Sequence, residues 1–277
     1  MTIYLKLYIG VILFLGTQSL IAAESNTTIK IMPLGDSITY DNRVSDLVDP
    51  RPTSIRTAYR NYLWYMLNDA AYPADFAGSR SAGQAVTPPF DTDNEGHPGW
   101  SSYDIAEKVY SYMINSTPNI VLLHIGTNDH QTSIAGVENI LKEIDIYEQQ
   151  TGQNVRVIVA LIIDRKDGDR TIRIFNENLQ ALVTSRLLDG DNIALVDMYE
   201  GAGMNGEDYA DNTHPNNNGY KKMATVWYNG IQAPFNLALN MYPATVVSKA
   251  YIESVTVNAT TNTVQYITEV PESGITF

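Results

Sequence analysis

Between Asn119 and Ile125 the chain reads Asn-Ile-Val-Leu-Leu-His-Ile, an almost unbroken apolar run. A strand of that kind has no polar face, so it needs cover on both sides, as the central strands of parallel sheets have. Similar runs occur at Ile29 to Leu34, Ala74 to Gly78, Val155 to Ile163 and Ile193 to Val196. Between them lie segments with apolar residues at helical spacing. Ile55 to Ala71 presents Tyr59, Leu63, Met66 and Leu67. Ile134 to Tyr147 presents Val137, Ile140, Leu141 and Ile144. Arg170 to Leu188 presents Ile172, Phe175, Leu179 and Val183. Further helices are expected from Ser101 or Ser102, as cap, to Ile114 and over Asn216 to Gln232. Alternating strands and helices predict an α/β fold, an open parallel sheet with helices on both faces. Such sheets take ligands at the carboxyl ends of their strands.

The ends of the chain follow other patterns. Lys6 is the only charge before Glu24, and an apolar stretch from Leu7 to Gly16 leads to Ile21-Ala22-Ala23. This reads as a signal peptide over residues 1–23, cut near Ala23, and predicts a secreted or periplasmic protein. The main domain is expected over 24–237. After it, Lys249 to Val270 alternates polar and apolar residues about a turn at Asn258 to Asn262, which predicts a β-hairpin extension over 238–277. The chain has no cysteine, which excludes disulfides and thiol catalysis. Its formal net charge of -13 over 277 residues argues against nucleic acid or an anionic membrane as partner and suits a neutral polymer. Oligomeric state is not legible.

Several polar motifs sit at the predicted strand ends. Leu34-Gly35-Asp36-Ser37-Ile38-Thr39 follows the first strand, so Ser37 falls at a sharp turn. A serine needs a base to act as a nucleophile at neutral pH. Asp211-Asn212-Thr213-His214 offers one: residues three apart share a face, so Asp211 can hold His214 Nδ1 and leave Nε2 open. The same spacing also suits an Asx turn that only caps the last helix. Gly126-Thr127-Asn128-Asp129 ends the central strand; Asn128 can aim an amide N–H at an oxyanion, or the four residues can be a plain turn. Gly99, in the long loop Ser81 to Pro98 and its continuation Gly99-Trp100, can offer an unobstructed backbone N–H, or be a loop glycine. His124 is expected in the core wall. No metal-ligand set is visible. Asp91-x-Asp93-x-Glu95-Gly96 has the start of a calcium loop, but Ser102 stands where the closing glutamate is needed.

Taken together, Gly35-Asp36-Ser37-Ile38-Thr39, Gly99, Gly126-Thr127-Asn128-Asp129 and Asp211-x-x-His214 resemble the four blocks of the SGNH (GDSL-type) hydrolases. Met32 to Thr39, Tyr59-Arg60, Glu95 to Trp100 and His214-Pro215-Asn216-x-x-Gly219-Tyr220 are similar to the carbohydrate esterase family of acetylxylan esterases. The resemblance spans about Ile29 to Trp227. It implies a flavodoxin-like three-layer α/β/α fold with five parallel strands and no cofactor. It implies Ser37 as nucleophile, His214 as base and Asp211 as its orienter, with Ser37, Gly99 and Asn128 as oxyanion donors. The expected substrate is an acetylated polysaccharide or small acyl ester. Asp36, Tyr40, Arg60, Trp100 and His130 are further candidates for lining the substrate cleft; for Arg60, pairing with a loop carboxylate is the equal alternative. A lipid esterase of the same superfamily and a non-catalytic carbohydrate-binding module remain as alternatives.

Overall fold

The computed structural model describes residues 28–233, 251–258 and 263–269. The expected signal segment and the hairpin's turn lie outside these residues. The chain divides into two compact units, residues 1–231 and 232–277.

In the first unit, β1 (Ile29–Gly35) is flanked on one side by β5 (Ile120–His124), followed outward by β6 (Arg156–Leu161) and β7 (Ile193–Asp197), all parallel. Its other flank is shared. β2 (Ala74–Phe76) pairs with Ile29 to Ile31, and β4 (Asp93–Gly96) pairs with Leu34 and Gly35. Pro33, which has no N–H to give a ladder, lies at the step between them. β3 (Arg80–Ser81) hangs antiparallel on β4. The sheet therefore has seven strands rather than five. The five expected are β2, β1, β5, β6 and β7. The two extra lie in what reads as a loop, because Asp-Asn-Glu-Gly has no strand propensity and becomes a strand only by pairing with β1.

Side chains alternate across the sheet. Met32, Leu34, Val121, Leu123, Val157 and Val159 face one way, onto buried residues of α3 (Ser102–Ala106), α4 (Val109–Ser116), α5 (Ala135–Thr151) and α6 (Arg170–Leu188). On the other face Val196 and Ile158 meet α7 (Asn217–Gln232) at Gly230. Trp227 of α7 lies 5.9 Å, centroid to centroid, from Tyr59, which precedes α2 (Arg60–Asp69). Helices on both faces make this a three-layer α/β/α unit. α2 begins five residues later than its periodicity suggests, because Arg56 is extended and Ala58 has a positive φ of 52°. The helix expected to run to Ile114 is broken into α3 and α4.

Because β1 has β2 and β4 on one side and β5 on the other, the strand order reverses at β1. The loops leaving β1 and β5 border the crevice where open α/β sheets bind ligands. The second unit contains an antiparallel hairpin, β8 (Tyr251–Asn258) with β9 (Thr263–Glu269), whose register shifts between Ile252 and Ser254.

Candidate active site

Ser37 opens α1 (Ser37–Tyr40), a single buried turn directly behind β1. Asp36 caps it by accepting the Ile38 N–H at 2.8 Å. As the first helical residue, Ser37 has an N–H with no intrahelical acceptor, and none elsewhere among the described residues. Gly35 fits because a Cβ there would stand 2.3 Å from the His124 carbonyl oxygen.

His214 arrives from the loop before α7. Its Nε2 lies 2.9 Å from Ser37 Oγ, across 177 residues of sequence. Its Nδ1 lies 2.9 and 3.0 Å from the two oxygens of Asp211. Asp211 also accepts the backbone N–H groups of Thr213 and His214 at 2.8 Å and that of Val44 at 3.0 Å. The Asx turn and the histidine contact, open alternatives in the sequence, are both made by one carboxylate. Burial works to raise the Asp211 carboxyl, but these N–H bonds and the His214 ring outweigh it and hold the group below its usual value. It therefore stays ionised and fixes the tautomer in which Nε2 accepts the Ser37 proton.

Asn128 follows Gly126, whose φ of 128° turns the chain out of β5 while Phe175 fills the space a Cβ would need. One Asn128 amide N–H donates to the Trp100 carbonyl at 2.9 Å, which leaves the second to point elsewhere. Gly99, at φ 83°, is exposed, has open space where a Cβ would project, and has no acceptor for its N–H among the described residues. The Gly99-Trp100 turn is held from two sides. Ser102 N–H donates to Asp129 at 2.7 Å. The Trp100 ring stacks on His97 at 4.2 Å, and His97 Nε2 is bonded to Glu95 at 2.6 Å.

The other expected lining residues fare differently. Trp100 is half-buried beside Asn128. Asp36 is fully buried behind the serine, and burial, opposed by the Ile38 N–H and by Thr127, raises its carboxyl to about 7. Tyr40 is a correction: its ring is buried, with the Arg80 guanidinium 4.4 Å from its centroid. Arg60 is a second correction. It is 0% exposed and pairs with no carboxylate among the described residues; it donates to the carbonyls of Thr39, Ala82, Thr92 and Arg56, which ties α1 to the loop before β4. His130 is a third. It is exposed, at φ 53°, and borders a small cavity with Arg165 and Phe175 rather than joining the Ser37 and His214 contacts. His124 is fully buried, and burial lowers it to about 4, so it is neutral.

Two contributors give no signal in the sequence. The Val44 N–H acts through the backbone, so its side chain says nothing of it. Arg165 donates to Thr213 Oγ1 at 2.6 Å and to the Thr127 carbonyl at 3.3 Å, clasping the Asn128 loop to the His214 loop. Its partners are remote in sequence. Among the described residues there is no cluster of acidic or histidine side chains that could hold a metal ion.

The family model for the GDSL-like lipases and acylhydrolases matches residues 31–227, well over half of the sequence. The chain belongs to this family. It is 27% identical over 266 residues to a multidomain esterase of Ruminococcus flavefaciens, covering 83% of this chain and 32% of that protein, so it spans about a third of that relative's length. Among solved structures, a carbohydrate esterase family 3 protein from Talaromyces cellulolyticus is 28% identical with a TM-score of 0.62, over 74% of this chain and 96% of the other. A Clostridium thermocellum family 3 carbohydrate esterase is 29% identical with a TM-score of 0.61, over 73% and 94%. An esterase or acylhydrolase activity and the α/β fold go with membership; the carbohydrate esterases are what this GDSL-family chain is similar to.

Proposed function

We propose that this protein is a secreted or periplasmic serine esterase that removes acetyl groups from a carbohydrate such as xylan. The observation that carries the reading is the unbroken relay Ser37 Oγ, His214 Nε2, His214 Nδ1, Asp211, with spacings of 2.9 Å at both contacts. In this mechanism His214 takes the Ser37 proton as Oγ attacks the ester carbonyl. The oxyanion is met by the N–H groups of Ser37 and Gly99 and the second amide N–H of Asn128. The imidazolium, steadied by Asp211, returns its proton to the departing sugar hydroxyl. Water activated by the same ring then attacks the acetyl-serine, and acetate leaves. The carbohydrate leaving group is supported by the similarity to carbohydrate esterases and by the polar loops around the triad.

Ser37→Ala is expected to abolish p-nitrophenyl acetate hydrolysis while leaving the fold intact by circular dichroism. Retained turnover would sink Ser37 as the nucleophile, whereas a wild type with no turnover would favour a binding module. Acetate release from acetylated polysaccharides, set against butyryl and octanoyl aryl esters, tests the substrate. One feature favours a longer acyl group: Leu47 and Val48, on the loop beyond α1, are 79% and 90% exposed. A preference for octanoyl esters in that panel would replace the carbohydrate reading with a lipid one.

A further inference from the structure

Beyond α1, between Asp41 and Arg56, the chain carries six charged side chains, Asp41, Arg43, Asp46, Asp49, Arg51 and Arg56. Asp41 and Asp46 are 2% and 5% exposed. Arg51 donates to both, at 3.0 Å to Asp41 Oδ1 and 2.8 Å to Asp46 Oδ2, and Arg56 donates to Asp46 at 3.1 Å. Two carboxylates thus answer two guanidiniums. Arg43 is the third cation. Its nearest acid oxygen, Asp41 Oδ1 at 3.4 Å from Nε, already accepts from Arg51, and Arg43 Nε is buried with no hydrogen-bond partner among the described residues. Asp49, the third acid of the stretch, is exposed, so the three arginines and three aspartates balance in number.

Arg43 borders a cavity of about 340 Å³ shared with Asp41, Arg51, Ile55, Asn61, Tyr62 and Asn217. Asn61 is 8% exposed, and its Oδ1 is buried without a hydrogen-bond partner among the described residues. Such an acceptor is costly to leave unused, unless a ligand hydroxyl or water completes it. Tyr62 and Ile55 add apolar surface. Short links join the cavity wall to the segments that carry Ser37, Asp211 and His214. The Asp41 N–H donates to the Ser37 carbonyl at 2.9 Å, the Val44 N–H donates to Asp211, and Asn217 lies three residues beyond His214.

We propose that this cavity is a subsite for an acidic sugar, a uronic acid carried beside the acetylated sugar, with Arg43 reading its carboxylate and Asn61 accepting one of its hydroxyls. An arginine fork whose Nε has no hydrogen-bond partner among the described residues suits a carboxylate, and a surface of C–H faces and a polar rim suits a pyranose. The inference rests on the carbohydrate-esterase reading for what occupies Ser37, not for the binding of the uronate itself.

Calorimetric titration of the full chain with methyl glucuronoside and methyl glucoside tests it. The glucuronoside is expected to bind about tenfold more tightly, the scale of one charge-assisted hydrogen bond, and Arg43→Gln is expected to remove the difference. Should Arg43→Gln not fold, Asn61→Asp, which places a negative charge in the same cavity, must weaken the glucuronoside more than the glucoside. Equal affinity of the wild type for the two sugars overturns the subsite. In a second arm, acetate release from acetylated glucuronoxylan is followed before and after reduction of its carboxyls to alcohols. A rise in KM of about tenfold on reduction is expected for the wild type, and an unchanged KM counts against the subsite. Glucuronoside binding by a protein that releases no acetate would uphold the subsite and overturn the carbohydrate-esterase reading.

Discussion

Asn128 spends one amide N–H on the Trp100 carbonyl and holds its side chain still by doing so. The second N–H is then pre-aimed, which is what an oxyanion donor needs, because no reorganisation is left to perform during reaction. Asn128→Ala is expected to lower kcat for p-nitrophenyl acetate by about two to three orders of magnitude with little change in KM. A KM effect alone would assign Asn128 to ground-state binding instead. Arg60 is the opposite case, a charge with no chemistry to do. Burial pulls its guanidinium down to about 10, and four carbonyls take its hydrogen bonds. Arg60→Met strands those carbonyls and is expected to cost more than about 3 kcal/mol in urea unfolding. Unchanged stability would show that water can replace the guanidinium there. In the sequence Arg60 was indistinguishable from a cleft residue, since an arginine at the start of an amphipathic helix carries no mark of what it will face.

Among the elements, β4 shows how little its own residues have to say. Asp-Asn-Glu-Gly is turn composition, yet it forms a strand because the upper half of β1 has an open flank once β2 ends at Phe76. Gly96 lets that strand approach α1: a Cβ there would stand 2.8 Å from the Tyr40 backbone nitrogen. Gly96→Ala must push β4 away from the Ser37 turn. It is expected to lower stability by about 1–3 kcal/mol and to reduce esterase turnover as well, read by urea unfolding and by kcat on the refolded protein. Wild-type stability in the variant would mean that β4 gives way freely. By contrast, β1, β5, β6 and β7 and the long helices α5, α6 and α7 were legible, because each follows one clear period over many residues. The break between α3 and α4 and the late start of α2 were not, because single backbone conformations such as the positive φ of Ala58 decide them.

At the scale of the molecule, the fold carries a pH-dependent strain at its centre. Asp36 is raised from its ordinary value to about 7 by burial. Below the unfolded pKa both states hold the proton and no cost arises. As pH rises from about 4 to about 7, the unfolded chain releases its proton while the folded one keeps it, so stability falls across that window and levels off above it. Asp211 acts the other way, adding stability that is lost as pH falls below the ordinary carboxylate range. Asp36→Asn keeps an acceptor for the Ile38 N–H and removes the ionisation. It is expected to flatten the loss between about pH 4 and 7, seen as a Tm that no longer drops relative to wild type over that range. A variant that still tracks the wild-type profile would place the titration elsewhere.

The parallel α/β class, the chain order of the site motifs and the residue types able to supply nucleophile, base and oxyanion donors are all legible from the residues alone. These are written in local periodicity and in short motifs, where neighbours along the chain are neighbours in space. Which of two uses each motif serves depends on the folded arrangement. It gave Asp211 both a turn and a histidine, sent Arg60 inward, moved His130 aside, turned a polar loop into a strand and left Arg43 facing a cavity. Those outcomes depend on contacts between residues far apart in sequence, such as Val44 with Asp211 or Arg165 with Thr127 and Thr213. No local pattern encodes such contacts, because each forms only when packing of the whole sheet brings the loops together.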